Sequence, residues 1–267
     1  MPMKIVVANQ RGGVGKTVTS MVLGHSLSLK GKKTLLIDAD SQGSLSMILR
    51  LRPKHYLADF IIRRFDLELC VEVVSPTLHV LCSNRQTADA ERHIGNELAR
   101  ERVLEDLLAR YDSAYDAIVI DAGPSIGQMQ TCAMVYAQQV LIPCNMDLVS
   151  VSGAAACMQF CEVLSRAVRT PIRSVAILPT MVDRRIGLTR IARSLLAELE
   201  ARYSVPLLNE IRTDASVGKA TQARTFLSNF DPRCKALQDY TTAFEQLMEI
   251  LSNGASNTKA SSADTSA

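Results

Sequence analysis

Tryptophan is absent from this 267-residue chain, and aromatic residues of all kinds make up only 4%. A hydrophobic content of 47% must therefore fill its core with aliphatic side chains and alanine. No Cys-x-x-C pair occurs among the seven cysteines, Cys70, Cys82, Cys132, Cys144, Cys157, Cys161 and Cys234. Zinc and iron–sulfur sites cluster their ligands more tightly, so reduced thiols packed as small apolar groups are expected, with Cys157 and Cys161 one helical turn apart. Missing too are a charged-then-apolar export segment and any apolar run approaching a membrane span, which leads to the expectation of a cytoplasmic protein with no membrane partner. Charge of one sign is also in short supply: 30 Lys and Arg against 27 Asp and Glu leave a net +3. Any nucleic-acid contact must then rest on a local patch. The length suits one large α/β domain or two small ones.

What is present is organised around Asn9-Gln10-Arg11-Gly12-Gly13-Val14-Gly15-Lys16-Thr17. An apolar run, Ile5 to Ala8, precedes it as a short buried strand, and Val18 to Leu29 follows as a helix. Strand, glycine-rich loop and Gly-Lys-Thr opening a helix is the setting of a phosphate-binding loop. Gly12, Gly13 and Gly15 let successive N–H groups, Val14 included, turn inward without a Cβ in the way. The helix N-terminus adds partial positive charge there. Lys16 is placed to reach the β- and γ-phosphates, and Thr17 to ligate Mg²⁺. Gln10 stands where the ordinary pattern begins with glycine.

Two further runs end in carboxylates. Thr34 to Ile37 leads into Asp38-Ala39-Asp40, and Ala117 to Ile120 leads into Asp121-Ala122-Gly123-Pro124. A buried strand that ends in an ionised carboxylate needs water, a cation or a metal there. Strand C-termini in open α/β sheets are where ligands sit, so Asp38, Asp40 and Asp121 are expected at the phosphate and metal end.

The remaining chain alternates helices and strands. Leu45 to Leu51 and Tyr56 to Phe65 read as helices, and Leu67 to Cys82 as one or two strands. Thr87 to Arg110 is expected as one amphipathic helix, with Ile94, Leu98, Val103, Leu104, Leu107 and Leu108 on its inner face. Strands follow at Gln139 to Cys144, Val175 to Pro179 and Leu207-Leu208, with helices over Ser152 to Val168, Leu188 to Tyr203 and Ala236 to Leu251. The fold class is α/β: a mostly parallel twisted sheet with helices on both faces, in one domain over residues 1–251. Residues 252–267 read as a disordered Ser/Ala-rich tail.

Together with Leu178 to Arg185 and Asp231 to Tyr240, the three motifs resemble the ParA/MinD family of deviant Walker-motif P-loop ATPases, in its partition branch. The resemblance spans nearly all of Met3 to Leu251. It implies ATP and Mg²⁺ as cofactors, an ATP-dependent homodimer with two nucleotides sandwiched between subunits, and non-specific DNA binding by the ATP-bound dimer. A ParB-like or other cargo adaptor would stimulate hydrolysis, and the protein would be nucleoid-associated when ATP-bound. Carried over by motif, Lys16 contacts the phosphates, Thr17 ligates the metal, Asp40 orients the attacking water, Asp121 supports the metal and Asp38 holds its outer shell. Arg212 and Asp214 fall at the adenine-side loop, where the family usually has Pro and Asn. Arg11 stands where the family places a lysine that reaches across the dimer. It keeps the charge and adds a planar fork. Ser41 replaces the usual Pro, and Val18 the common second Thr.

DNA contact is expected from Arg184, Arg185, Arg190, Arg193, Lys219 and Arg224, with Arg190 and Arg193 on one side of a helix. The phosphate loop begins almost at Met1, so site-specific operator binding is not expected. A MinD-like spatial regulator would need a basic amphipathic C-terminal helix. The other alternative is an ATP-dependent small-molecule ligase of the same superfamily, which would not need Arg11.

Overall fold

The carboxylate-ended runs lie side by side at the centre of one sheet. The structure is a computed structural model, and it describes the backbone of residues 1–263 and the side chains of residues 1–253. Its first half runs β1 (Met3–Val7), α1 (Lys16–Leu29), β2 (Thr34–Asp38), α2 (Ser44–Leu49), α3 (Leu57–Ile62), α4 (Leu67–Cys70), β3 (Val71–Ser75), β4 (Leu78–Leu81), α5 (Thr87–Gly95), α6 (Val103–Leu108) and β5 (Ala117–Asp121). The second half runs α7 (Gln128–Ala137), β6 (Gln139–Asn145), α8 (Leu148–Val168), β7 (Arg173–Thr180), α9 (Gly187–Tyr203), α10 (Ala215–Ala223), α11 (Leu227–Phe230) and α12 (Lys235–Ala263).

Strand order is β3-β4-β2-β5-β1-β6-β7. All neighbours are parallel except β3, which folds back on β4 at the edge. The register pairs Asp121 with Val7 on one side and with Asp38 on the other. Three strand ends thus deliver the phosphate loop and two aspartates to one edge. Along each central strand, alternate residues serve opposite layers: Val6, Ile37 and Ile120 join one core, while Ile5, Leu36 and Val119 join the other. Both faces are buried, which is why these strands read as unbroken apolar runs.

Several expectations need correction. The single helix over 87–110 is broken: α5 stops at Gly95, Ala99 takes φ 51°, and a 3₁₀ turn over Arg100–Arg102 precedes α6. The break leaves Leu98 exposed instead of inward. Gly95 and Asn96, both weak helix formers, fall where the first segment ends. Helix α7 was not anticipated because all its residues except Gln128 and Thr131 are buried, which leaves no polar face to mark the period. Helices α10 and α11 were also missed, and α4 occupies the start of a stretch read as strand.

Helix α8 starts at Leu148 and is long and apolar enough to cross a membrane by length and composition, contrary to the sequence reading. In this fold Ala154, Cys157, Met158 and Cys161 bury its inner face in the core. The seven cysteines are all unpaired and buried. Helix α12, expected to stop at Leu251, continues to Ala263, and the last four residues of the expected tail lie outside the described residues.

Gly43, at the start of α2, has φ 64°, and a Cβ there would stand 2.6 Å from the Ser83 carbonyl oxygen. Its N–H also bonds the Asp40 carbonyl at 3.0 Å. Gly43→Ala should cost about 2 kcal/mol and lower the thermal midpoint by roughly 5 °C, read by circular dichroism. A melt matching the wild type would show that this contact relaxes freely.

Candidate nucleotide site

The loop after β1 is fastened at both ends. Asn9, fully buried, donates from Nδ2 to the Pro143 carbonyl at 2.7 Å, while its Oδ1 accepts the Arg11 N–H at 3.0 Å. Thr180, at the end of β7, donates its hydroxyl to the Val14 carbonyl at 2.9 Å. Val14 is buried and is not among the residues lining the cavity. Gly13 and Gly15 hold φ of 76° and 85°, where a side chain is strained. Helix α8 carries Gly153 against the loop. A Cβ there would meet Asn9 Oδ1 at 2.6 Å and Arg11 Cβ at 3.1 Å.

Lys16 is buried and donates from Nζ to the Arg11 carbonyl at 2.8 Å. Burial lowers its pKa, while Asp121 and Asp40 pull it back up. Asp38 is buried beside Asp121, and both its oxygens are taken: Asp40 N–H at 3.1 Å and Leu45 N–H at 3.0 Å. Burial, reinforced by Asp121, holds its pKa well above the carboxylate range. The residue expected in the metal's outer shell therefore also ties α2 to the end of β2. Asp40 lies against Gly123, accepts the Gln42 N–H at 3.0 Å and lines the cavity.

Asp121 is the centre of the metal end. Its Oδ1 accepts from Ser20 Oγ at 3.1 Å, while its Oδ2 is buried and, among the described residues, unpartnered. Leaving such an oxygen unmade costs about 1–3 kcal/mol, and a hydrated cation held by Thr17 would satisfy it. The donor set fits Mg²⁺, all hard oxygens with room for water. The ion, when bound, would neutralise charge on the phosphates.

Burial raises Asp121 to about 7, against the pull of Thr17, Ser20 and Lys16. An unfolded carboxyl ionises near pH 4, at roughly 3.9. Below that pH both states are protonated and nothing is lost. Between there and about 7 the unfolded chain ionises first, so the metal-free fold loses stability as pH rises; above 7 the loss is complete. Asp121→Asn removes this titration. Its thermal midpoint should rise relative to the wild type between pH 5 and 8 without metal, and Mg²⁺ with ATP should reverse the ranking at pH 8. Parallel melts across the series would contradict the burial argument.

The cavity above these groups holds about 720 Å³. Gly12, Gly13, Gly15, Lys16, Thr17, Asp40 and Pro124 line its phosphate end; Met181, Ile211 to Asp214, Val217 and Tyr240 line the other. Arg212 and Asp214 are thus at the cavity, and their side chains also bond within the protein. Arg212 forks onto Asp239 with two bonds of 2.7 Å. Asp214 caps two helices, accepting Ser216 N–H of α10 at 2.8 Å and Ala236 N–H of α12 at 3.1 Å. Both residues thus line the cavity while also holding these intramolecular bonds. Asn9, Thr180, Met181 and Tyr240 were missed. Asn9 alone had a visible signal, a polar residue closing an apolar strand.

Arg11 is exposed and does not line its own cavity. Of the expected basic face, Arg184 and Arg193 share Glu210, and Arg185 pairs with Asp183. Arg190, Lys219 and Arg224 are exposed.

The sequence matches the AAA-domain family over residues 3–174. It is 27% identical to the chromosome-partitioning ATPase Soj of Treponema pallidum, over 88% of this chain and 93% of that one. Nucleotide-free McdA of Cyanothece superposes with a TM-score of 0.82 at 21% identity, over 94% of this chain and all of that one. Cobyrinic acid a,c-diamide synthase of Mycobacterium smegmatis, bound to an ATP analogue and magnesium, gives 0.73 at 26% identity, over 85% and 93%. A phosphate loop, two buried aspartates and an unpartnered buried carboxylate oxygen converge on one sheet edge, in a chain matched this widely, and it belongs to the ParA/MinD family of P-loop ATPases, with ATP and Mg²⁺ as its cofactors.

Proposed function

We propose that this ATPase is a ParA-type positioning enzyme. Two copies close face to face on ATP, the closed dimer holds DNA non-specifically, and a cargo adaptor triggers hydrolysis and release. The cargo is a plasmid, a chromosome region or another cytoplasmic body, and the ATP-bound form resides on the nucleoid. Within each copy, Lys16 binds the phosphates, Thr17 and Asp121 hold the metal and its water, and Asp40 orients the attacking water. That water adds to the γ-phosphorus, the bond to the β-phosphate oxygen breaks, and ADP and phosphate leave.

One observation carries the reading: the side chain of Arg11, on the loop that builds the site, stays out of its own cavity. An exposed cation on this loop is placed to meet the phosphate of another copy. The relative named a chromosome-partitioning ATPase supports the same reading.

Sedimentation with ADP, ATP and a slowly hydrolysed analogue, with and without plain duplex DNA, tests it. A dimer formed with ATP alone, pelleting with DNA only in that state, is expected. A monomer insensitive to nucleotide and DNA would favour a small-molecule ligase, the reading to which the cobyrinic acid synthase likeness lends weight.

A further inference from the structure

Arg50, Arg52 and Arg224 line one open cavity of about 350 Å³ with Ser46, Met47 and Leu51. No carboxylate lines it, and among the described residues none of the three guanidiniums has a hydrogen-bond or ion-pair partner. Among the other candidate arginines, Arg184 and Arg193 share the one carboxylate of Glu210 and Arg185 pairs with Asp183, while Arg190 is exposed.

The backbone adds a second observation. Arg50 closes α2 at φ 55° and Arg224 closes α10 at φ 57°. Glycine fills such left-handed positions without strain, whereas a side chain there is disfavoured. Neither guanidinium turns back to bond its own helix's last carbonyls, so capping does not explain the residue type. The sequence supplies a third. No Asp or Glu occurs from Gln42 to Ala58, while Arg50, Arg52 and Lys54 are exposed along that stretch.

We infer that Arg50, Arg52 and Arg224 seat the phosphodiester backbone of duplex DNA. The inference rests on the DNA-binding part of the proposed function and gives it a location. Guanidinium forks match phosphate oxygens with paired bonds, and a strip of exposed cations without acids suits a regularly spaced polyanion. An acidic protein partner would need apolar anchors as well. Leu51 is partly buried against the core, so Met47 is the one strongly exposed large apolar side chain in the lining. Both walls also touch the nucleotide site. The α2 residue Leu45 is bonded to Asp38, and Val217 and Thr221 of α10 line the nucleotide cavity. DNA affinity thereby has a route to depend on ATP.

The test is R50G/R52A/R224G, with glycine at the two left-handed positions so that folding is not impaired; its thermal midpoint should equal or exceed the wild type's. DNA affinity in the ATP state should fall at least tenfold. The slope of log affinity against log salt should shrink by about two to three, near 0.9 per lost phosphate contact. Wild type that binds DNA while the variant binds equally well would overturn this location and leave the DNA reading standing. Wild type that binds no DNA in any nucleotide state would overturn both. A variant that keeps DNA but loses poly-glutamate would assign the patch to an acidic protein and overturn the inference.

Discussion

Asp40→Ala should bind ATP about as tightly as the wild type and hydrolyse it at least about 10²-fold more slowly. Asp40 sits on the loop after β2 with its carboxylate on the cavity lining, held by the Gln42 N–H and backed by Gly123. It contributes no strand contact and caps no helix longer than its own turn. Removing it therefore takes away a water-orienting group and little else, so the loss belongs in kcat rather than in KM. Single-turnover hydrolysis alongside equilibrium binding of a fluorescent ATP analogue separates the two. Unchanged turnover would remove Asp40 from the chemistry. Asp40→Asn keeps an acceptor for Gln42, and slow turnover in both variants would exclude a merely structural effect.

Arg11→Ala should lose ATP-dependent dimerisation, and its stimulated turnover should drop by roughly 10³-fold, the lower range for an arginine supplied in trans. The loop itself should survive. Its anchors are Asn9 to β6 and Thr180 to the Val14 carbonyl, and only the Arg11 backbone takes part, through its N–H to Asn9 and its carbonyl to Lys16. Arg11→Lys should retain part of the activity, since it keeps the charge and loses the fork. Mixing is the sharper measurement. Arg11→Ala and Asp40→Ala copies, each inactive alone, can form dimers in which one site has Asp40 from one copy and Arg11 from the other. An equimolar mixture should regain turnover that neither variant has alone, up to about a quarter of the wild-type rate, the ceiling set by equal pairing with one complete site per mixed dimer. No recovery would place Arg11 in its own copy's site.

The motifs that were legible in the sequence share a physical cause. Burial on both faces makes β1, β2 and β5 continuous apolar runs, and their polar endings are conspicuous because carboxylates cannot be left there without a purpose. The sheet register then brings Asp38 and Asp121 together, as the motif reading required. What stayed hidden depends on contacts between distant segments. That Arg212 also forks onto Asp239, and that Asp214 also caps the start of α12, cannot be read from residues so far apart in sequence. Helix α7 had no exposed face to give a period, and the break after Gly95 rests on Ala99 adopting a backbone that its residue type disfavours. That Arg184 and Arg193 share Glu210, remote in sequence from both, is likewise invisible before folding.

The double cap formed by Asp214 ties the C-terminal helix to the wall of the nucleotide cavity. One carboxylate anchors the first turns of α10 and α12, and burial in the second core anchors the first half of α12 through Ala243, Phe244 and Leu247. A ligand that steadies the 211–214 wall steadies both helix starts at once. Amide hydrogen exchange should therefore slow in the opening turns of α10 and α12 when ATP binds, far along the chain from the phosphate loop. The opening turns of these two helices become a place from which occupancy of the site can be read by labelling, without touching the residues that do the chemistry.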